Sequence, residues 1–205
     1  MSKGSPSEVD RLIASWAHFP KLTAAARQAS QWKSRTGTDE FKDVLKDCWE
    51  LYAAQLQLLN TWRNTYRLSC EHVSNTTGGD TKSAARATYL SAFNQRIYSM
   101  ALFNVSYLNC LIRAMLPAEA GGTLRREAFR YNREIVTLAH EAMGYRPLGS
   151  AFMPLCLMVA WFTPEDEEMR VEIEALWAVY CADFPSARDV KLERNLEGCG
   201  FLKAI

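Results

Sequence analysis

Apolar residues recur along this chain at intervals of three and four. Val9, Leu12, Ile13 and Trp16 fall on one helical face. The run Ser5-Pro6-Ser7-Glu8 before them predicts the helix start, with a cap at Ser5, proline at the first helical position and Glu8 closing a capping box. Pro20 predicts a break, followed by a short helix over Leu22–Trp32 and a loop over Lys33–Thr38 around Gly37. A long helix is expected from Asp39 to His72, because Phe41, Leu45, Cys48, Tyr52, Leu56, Leu59 and Tyr66 keep helical spacing. The polar stretch Ser74–Thr81, with Gly78-Gly79, reads as the loop to a second long helix over Lys82–Leu116, which Pro117 stops.

Gly121-Gly122 mark the next turn, and Thr123 is a candidate cap. Leu124, Ala128, Tyr131, Ile135, Leu138 and Ala142 form the clearest stripe of the chain, and Gly144 suits its C-terminal cap. An apolar helix is expected over Pro154–Phe162. The run Thr163–Asp166 starts another, with Met169, Ile173, Leu176, Tyr180 and Phe184 inward, and a short one is expected over Ser186–Leu196. No alternating strand pattern of useful length occurs. The expected fold is all-α: a single-domain bundle of about seven or eight helices with two long central ones. Residues 1–38 hold its short N-terminal helices and residues 39–205 the main bundle.

The chain has 205 residues, 48% of them hydrophobic, with a net charge of +1. That length supports a sizeable core, and the near-neutral charge gives no footprint for nucleic acid or an anionic membrane. The apolar runs Ile97–Ile112 and Leu148–Phe162 are too short to span a bilayer, and the N-terminus lacks the apolar segment of a signal peptide. A cytoplasmic location is expected, with a nuclear one compatible. Cys48, Cys70, Cys110, Cys156, Cys181 and Cys199 are scattered, with no pair at zinc-site spacing, so free thiols and no metal are expected. No cofactor motif occurs. His140-Glu141 opens like a zincin sequence, but Gly144 stands where its second histidine belongs. His140 then reads as a boundary histidine.

Charged and polar residues on the helices sharpen the picture. Glu127, Arg130, Glu134 and Glu141 lie at spacings that predict a solvated salt-bridge stripe on the surface of one helix. On the central helix, Phe93, Ile97, Met100, Asn104, Tyr107 and Leu111 share one stripe, opposite Gln95, Ser99, Ser106, Asn109 and Arg113. Asn104 therefore interrupts an apolar face. Arg63 does the same between Leu56, Leu59 and Tyr66. A buried amide or guanidinium needs partners, so the two belong either to an internal polar network or to a cavity. In a cavity, Arg63 and Asn104 would anchor a ligand, Tyr66 and Tyr107 would line the walls, and Trp161 would close one end.

The run from Asn132 to Pro185 contains an "ILxLA"-like phrase at Ile135–Ala139. An apolar segment follows, with Pro154-Leu155 and Val159-Ala160, and then an acidic, arginine-containing helix at Asp166–Arg170. This succession resembles the closing part of the regulatory domain of fungal binuclear zinc-cluster transcription factors. The stretch Leu45–Pro117, with Trp62 and its tyrosine-rich central helix, resembles the helices before it. The family's DNA-binding unit needs closely spaced N-terminal cysteines, and here only Cys48 and Cys70 precede residue 100. The resemblance implies an all-helical regulatory-type domain without DNA binding, recruited in a fungal setting to secondary metabolism. Three functions follow from it: binding of a hydrophobic small molecule, cofactor-free isomerisation or cyclisation of an apolar intermediate, and regulation through a protein partner. Neither membrane nor nucleic acid is an expected partner, and a homo-oligomer is compatible with the sequence.

Overall fold

Ser7 begins the first helix by accepting from the Asp10 N–H at 3.1 Å, while the Asp10 carboxylate accepts from the Ser7 N–H at 3.0 Å. This capping box sits two residues later than the Ser5-to-Glu8 pattern suggested. Both tetrapeptides satisfy the same motif, and the chain uses the second. The computed structural model describes residues 6–31, 39–76, 81–146, 151–164 and 166–183. Among them are seven α-helices: α1 Glu8–Ser15, α2 Phe19–Gln31, α3 Asp39–Thr76, α4 Thr81–Met115, α5 Gly122–Ala142, α6 Met153–Trp161 and α7 Glu167–Cys181. Short 3₁₀ turns cover Ala118–Gly121 and Met143–Tyr145. The molecule is an all-α bundle. The loop expected at Lys33–Thr38, Phe184 and the helix expected at Ser186–Leu196 lie outside the described residues.

The break expected at Pro20 falls just before it, between Ser15 and Phe19. Pro20 itself sits in the first turn of α2, where a missing N–H costs nothing. The Phe19 N–H donates to the Trp16 carbonyl at 3.2 Å, so α1 leads into α2 through one tight turn. The first long helix runs a turn further than expected, to Thr76, and Thr81 already belongs to the second. Thr123 is not the cap of α5. Gly121 is, without a side-chain hydrogen bond, and Thr123 accepts from Arg126 instead. Nor does Gly144 close α5 in a left-handed conformation, because the helix tightens into the 3₁₀ turn that contains it. Asp166 caps α7 by accepting from the Met169 N–H at 2.8 Å.

α4 is the axis of the bundle, and α1, α2, α3, α5 and α6 all pack on it. From Ile97 to Met115 every residue except Tyr107 and Ala114 is buried. The stripe Gln95, Ser99, Ser106, Asn109 and Arg113, set opposite the apolar face in the sequence, is therefore buried too. Ser69 bonds Ser91, and Asn109 bonds the Leu124 carbonyl, so α3 and α5 both run antiparallel to α4 and parallel to each other. The stripes predicted for α5 and α7 face inward, with Tyr131, Ile135, Ala142, Ile173 and Tyr180 wholly buried. Among the described residues, no helix is long and apolar enough to cross a membrane.

Candidate functional site

Where α2 and α6 flank α4, side chains leave an open groove of about 840 Å³. Its floor and walls are Trp16, Phe19, Phe103, Tyr107, Leu155 and Met158, and its rim is Thr23, Ala24, Arg27 and Gln28. Phe103 and Tyr107, one turn apart on α4, stack with centroids 5.7 Å apart. Phe19 packs on both, at 6.2 and 5.1 Å, and Trp16 meets Phe103 edge-on. The wall is thus a set of interlocked rings, presenting π-faces and a thioether to whatever enters. One polar point interrupts it. The Thr23 hydroxyl donates to the Phe19 carbonyl at 2.6 Å, so Tyr107, 2.6 Å from the Thr23 oxygen, is the donor of that contact.

Asn104 holds this wall from behind. Its side-chain oxygen accepts the Trp16 indole N–H at 2.7 Å. Its amide N–H groups are shared among Gln55 and Ser15, each at 3.0 Å, and the Leu12 carbonyl at 3.2 Å. Asn104 is fully buried, so of the two settings the sequence left open it occupies the satisfied internal network.

Arg63 lies elsewhere, on the flank where α3 meets α5. It donates to both Glu134 oxygens, at 2.6 and 2.9 Å, and to Asn60 at 2.7 Å. The Tyr98 hydroxyl also donates to Glu134. Tyr66 stacks on Tyr98 and donates to Glu141 at 3.1 Å. These groups line a shallow cleft of about 390 Å³ with Cys70 and Leu138. Trp161 is at the α6–α7 contact, where its indole donates to Glu174 at 2.8 Å and the Arg170 guanidinium lies over its ring.

The five candidate residues are therefore not gathered at one site. Tyr107 lines the groove and Asn104 braces it, Arg63 and Tyr66 share the second cleft, and Trp161 belongs to neither. Trp16, Phe19, Phe103, Leu155 and Met158 were not among the candidates. The i,i+4 pair Phe103 and Tyr107 and the wholly apolar α6 were the signals available for them.

The glutamate stripe of α5 is only partly the solvated one expected: Arg130 and Glu141 are exposed, while Glu127 and Glu134 are half-buried. Glu127, Glu134 and Glu141, seven residues apart, turn toward the bundle and accept from Tyr52 at 2.9 Å, from Tyr98 and from Tyr66. Arg130 lies over the Tyr131 ring instead of bridging Glu127 and Glu134. Spacing of three and four favours intrahelical pairing only when no neighbouring helix offers a better donor. His140 is a surface residue, 2.8 Å from Glu172 of α7.

Replacing Glu134 by leucine should cost about 2 kcal/mol, less than for a fully buried pair because Arg63 and Glu134 are 34% and 20% exposed. The double variant Arg63→Met/Glu134→Leu should recover most of that loss. Urea denaturation of the single and double variants reads both terms, and simple additivity would show that the two side chains do not act as a pair.

Of the cysteines within the described residues, Cys48, Cys110, Cys156 and Cys181 are buried, Cys70 is half-buried, and none is disulfide-bonded. Burial pushes the Cys110 thiol up to about 11 and Cys48 up to about 12, away from the reactive thiolate. Cys199 lies outside the described residues. Among the described residues, no group of three or more His, Cys, Asp or Glu is placed to hold a metal ion. No protein-family model matches the chain, and no curated protein or solved structure is significantly similar to it.

Proposed function

We propose that this chain is a helical binding domain that takes a hydrophobic small molecule into the groove of α2, α4 and α6. The observation behind this reading is the lining itself. Four aromatic rings, a leucine and a methionine face one open space of about 840 Å³, within the range of small-molecule pockets. Trp16, Tyr107, Leu155 and Met158 are only half-buried there, and an apolar occupant would remove their remaining apolar surface from water. The ligand that fits is flat and largely apolar, with one oxygen placed to meet the Tyr107–Thr23 hydroxyl pair. A regulatory-type domain, as the resemblance to fungal zinc-cluster factors implies, is a natural setting for such a site.

The test uses Nile red, a neutral apolar dye, titrated into the full chain. Saturable binding with micromolar affinity is expected. Ala24 is exposed on the rim, so Ala24→Arg should leave the melting temperature unchanged and weaken the dye roughly tenfold or more by filling the mouth. Equal affinity in the variant would mean that the dye sits elsewhere.

The hydroxyl pair favours one further reading, cofactor-free isomerisation or cyclisation of a bound apolar carbonyl compound. In that case the Tyr107 O–H would leave the Thr23 oxygen and donate to the carbonyl oxygen as charge develops there. Tyr107→Phe separates the readings. It leaves binding within about threefold if the site only binds, a fraction of one hydrogen bond, and stops turnover if the hydroxyl is catalytic.

A further inference from the structure

Charge is unevenly shared among the helices. α2, α4 and α6, which form the groove, contain no aspartate or glutamate. Their charged residues are all basic: Lys21 and Arg27 on α2, and Lys82, Arg86, Arg96 and Arg113 on α4. The acids of the described helices sit on α1, α3, α5 and α7. A net charge of +1 over the whole chain conceals this division. Nothing on the groove's own helices repels an incoming anion.

Register places one of these cations at the groove. Phe19 packs on Phe103 and Thr23 meets Tyr107, so α2 and α4 run parallel along it. Arg27 is one turn beyond Thr23, on the same edge of α2, and lines the groove with Gln28. Lys21 faces elsewhere, into a separate cleft with His18, Asp47 and Glu50. Arg96 lies toward the other end, over the Phe152 ring that packs on Trp16, and does not line the groove. Among the described residues no carboxylate lines it either. The lining thus grades from interlocked rings, through the hydroxyls of Thr23 and Tyr107, to a guanidinium and an amide at the mouth.

We propose that the ligand of this groove is an apolar carboxylic acid, with its flat body on the rings and its carboxylate at Arg27. This assignment rests on the groove being the small-molecule site proposed above, and it names the class of molecule taken there. Such an acid is ionised at neutral pH, and its two oxygens match the fork of a guanidinium. A single charge suits the site. Among the described residues Arg27 is the one charged side chain of the lining, whereas a phosphate dianion calls for more than one cation. The Gln28 amide can donate to the same carboxylate. A second oxygen, one helical turn further in, would meet the Thr23–Tyr107 hydroxyl pair.

The experiment titrates three probes with one shared body into the full chain at neutral pH: pyrenebutyric acid, pyrenebutanol and pyrenebutylamine. Each is also competed against Nile red. The acid should bind about tenfold more tightly than the alcohol, and the amine more weakly than either. Arg27 is exposed, so its variants should melt as the wild type does. Arg27→Gln should bring the acid down to the alcohol's affinity. Arg27→Lys, which keeps the charge and loses the fork, should retain part of the preference. Arg96→Gln removes an equal charge outside the lining and should leave the preference intact.

Equal affinity of acid and alcohol in the wild type would overturn the acid assignment while leaving the groove as a site for neutral molecules. An acid preference that survives Arg27→Gln, or that Arg96→Gln removes as fully, would also overturn it, since the charge would then not act at the mouth. So would an equal loss of all three probes in Arg27→Gln, which would mean that Arg27 only shapes the opening. If neither Nile red nor any pyrene probe binds, the reading of the groove fails and the acid assignment with it.

Discussion

Asn104→Leu is expected to cost about 3–5 kcal/mol, although leucine matches asparagine in branching and number of heavy atoms and the site is apolar on most sides. The amide is the shared partner of four groups: the Trp16 indole, the Ser15 hydroxyl, the Gln55 side chain and the Leu12 carbonyl. Gln55 and Ser15 are nearly fully buried, so water cannot replace what leucine removes. Each stranded buried partner costs about 1–3 kcal/mol. The loss reaches the groove as well, because this hydrogen bond orients the Trp16 indole in the wall. Nile red affinity should fall with stability, whereas Ala24→Arg lowers affinity alone. Trp16→Phe/Asn104→Leu should recover part of the loss, since phenylalanine needs no acceptor. Arg63→Met/Asn104→Leu should be additive, since the two residues share no partner. Urea denaturation followed by circular dichroism reads all four. A loss below about 1 kcal/mol for Asn104→Leu would mean that its partners are solvated, contrary to their burial.

How far the sequence reached depended on what surrounds each helix. α5 and α7 have one face toward the core, and there the spacing of Leu124, Tyr131, Ile135, Ile173 and Tyr180 named the buried positions correctly. The second half of α4 is enclosed on nearly every side, so dividing it into an apolar and an opposite polar stripe assigned to the outside residues that are inside: Gln95, Ser99, Ser106, Asn109 and Arg113. Asn104 and Arg63 stood out because a polar residue in an apolar stripe needs partners. The partners themselves, Trp16 and Gln55 for one and Glu134 for the other, are distant in sequence and left no local mark. The same holds for the groove. Its rings come from α2, from α4 and from the turn after α1, with Leu155 and Met158 from α6, and each segment alone reads as core. The seam of Glu127, Glu134 and Glu141 was hidden by a rival pairing rule. Within α5 their spacing to Arg130 satisfies the salt-bridge pattern, while the tyrosines that engage them belong to α3 and α4.

That seam leads to the steepest pH dependence expected of this protein, on the alkaline side. Tyr52, Tyr66, Tyr98, Tyr131 and Tyr180 are each more than nine-tenths buried. Burial raises all of their hydroxyl pKa values above the ordinary 10.0, and the carboxylates of Glu127, Glu134 and Glu141 raise those of Tyr52, Tyr98 and Tyr66 further. Below about pH 10 the hydroxyls are protonated in the folded and unfolded chains alike, and they add no pH dependence. Above it the unfolded chain releases these protons and the folded one keeps them. The unfolded state then binds fewer protons, so stability falls as pH rises, and continues to fall up to the folded values. Each of Tyr52, Tyr66, Tyr98 and Tyr180 contributes about 1.4 kcal/mol per pH unit, and the four together about 6 kcal/mol by pH 11, comparable with the whole stability of a typical domain. Helical circular dichroism and tyrosinate absorbance at about 295 nm should therefore change together, in one steep step between about pH 10 and 11.5. Tyr52→Phe removes one of the protons and should make the step shallower. Tyrosinate absorbance rising gradually around pH 10, with the helical signal intact, would show that these hydroxyls reach solvent in the folded protein.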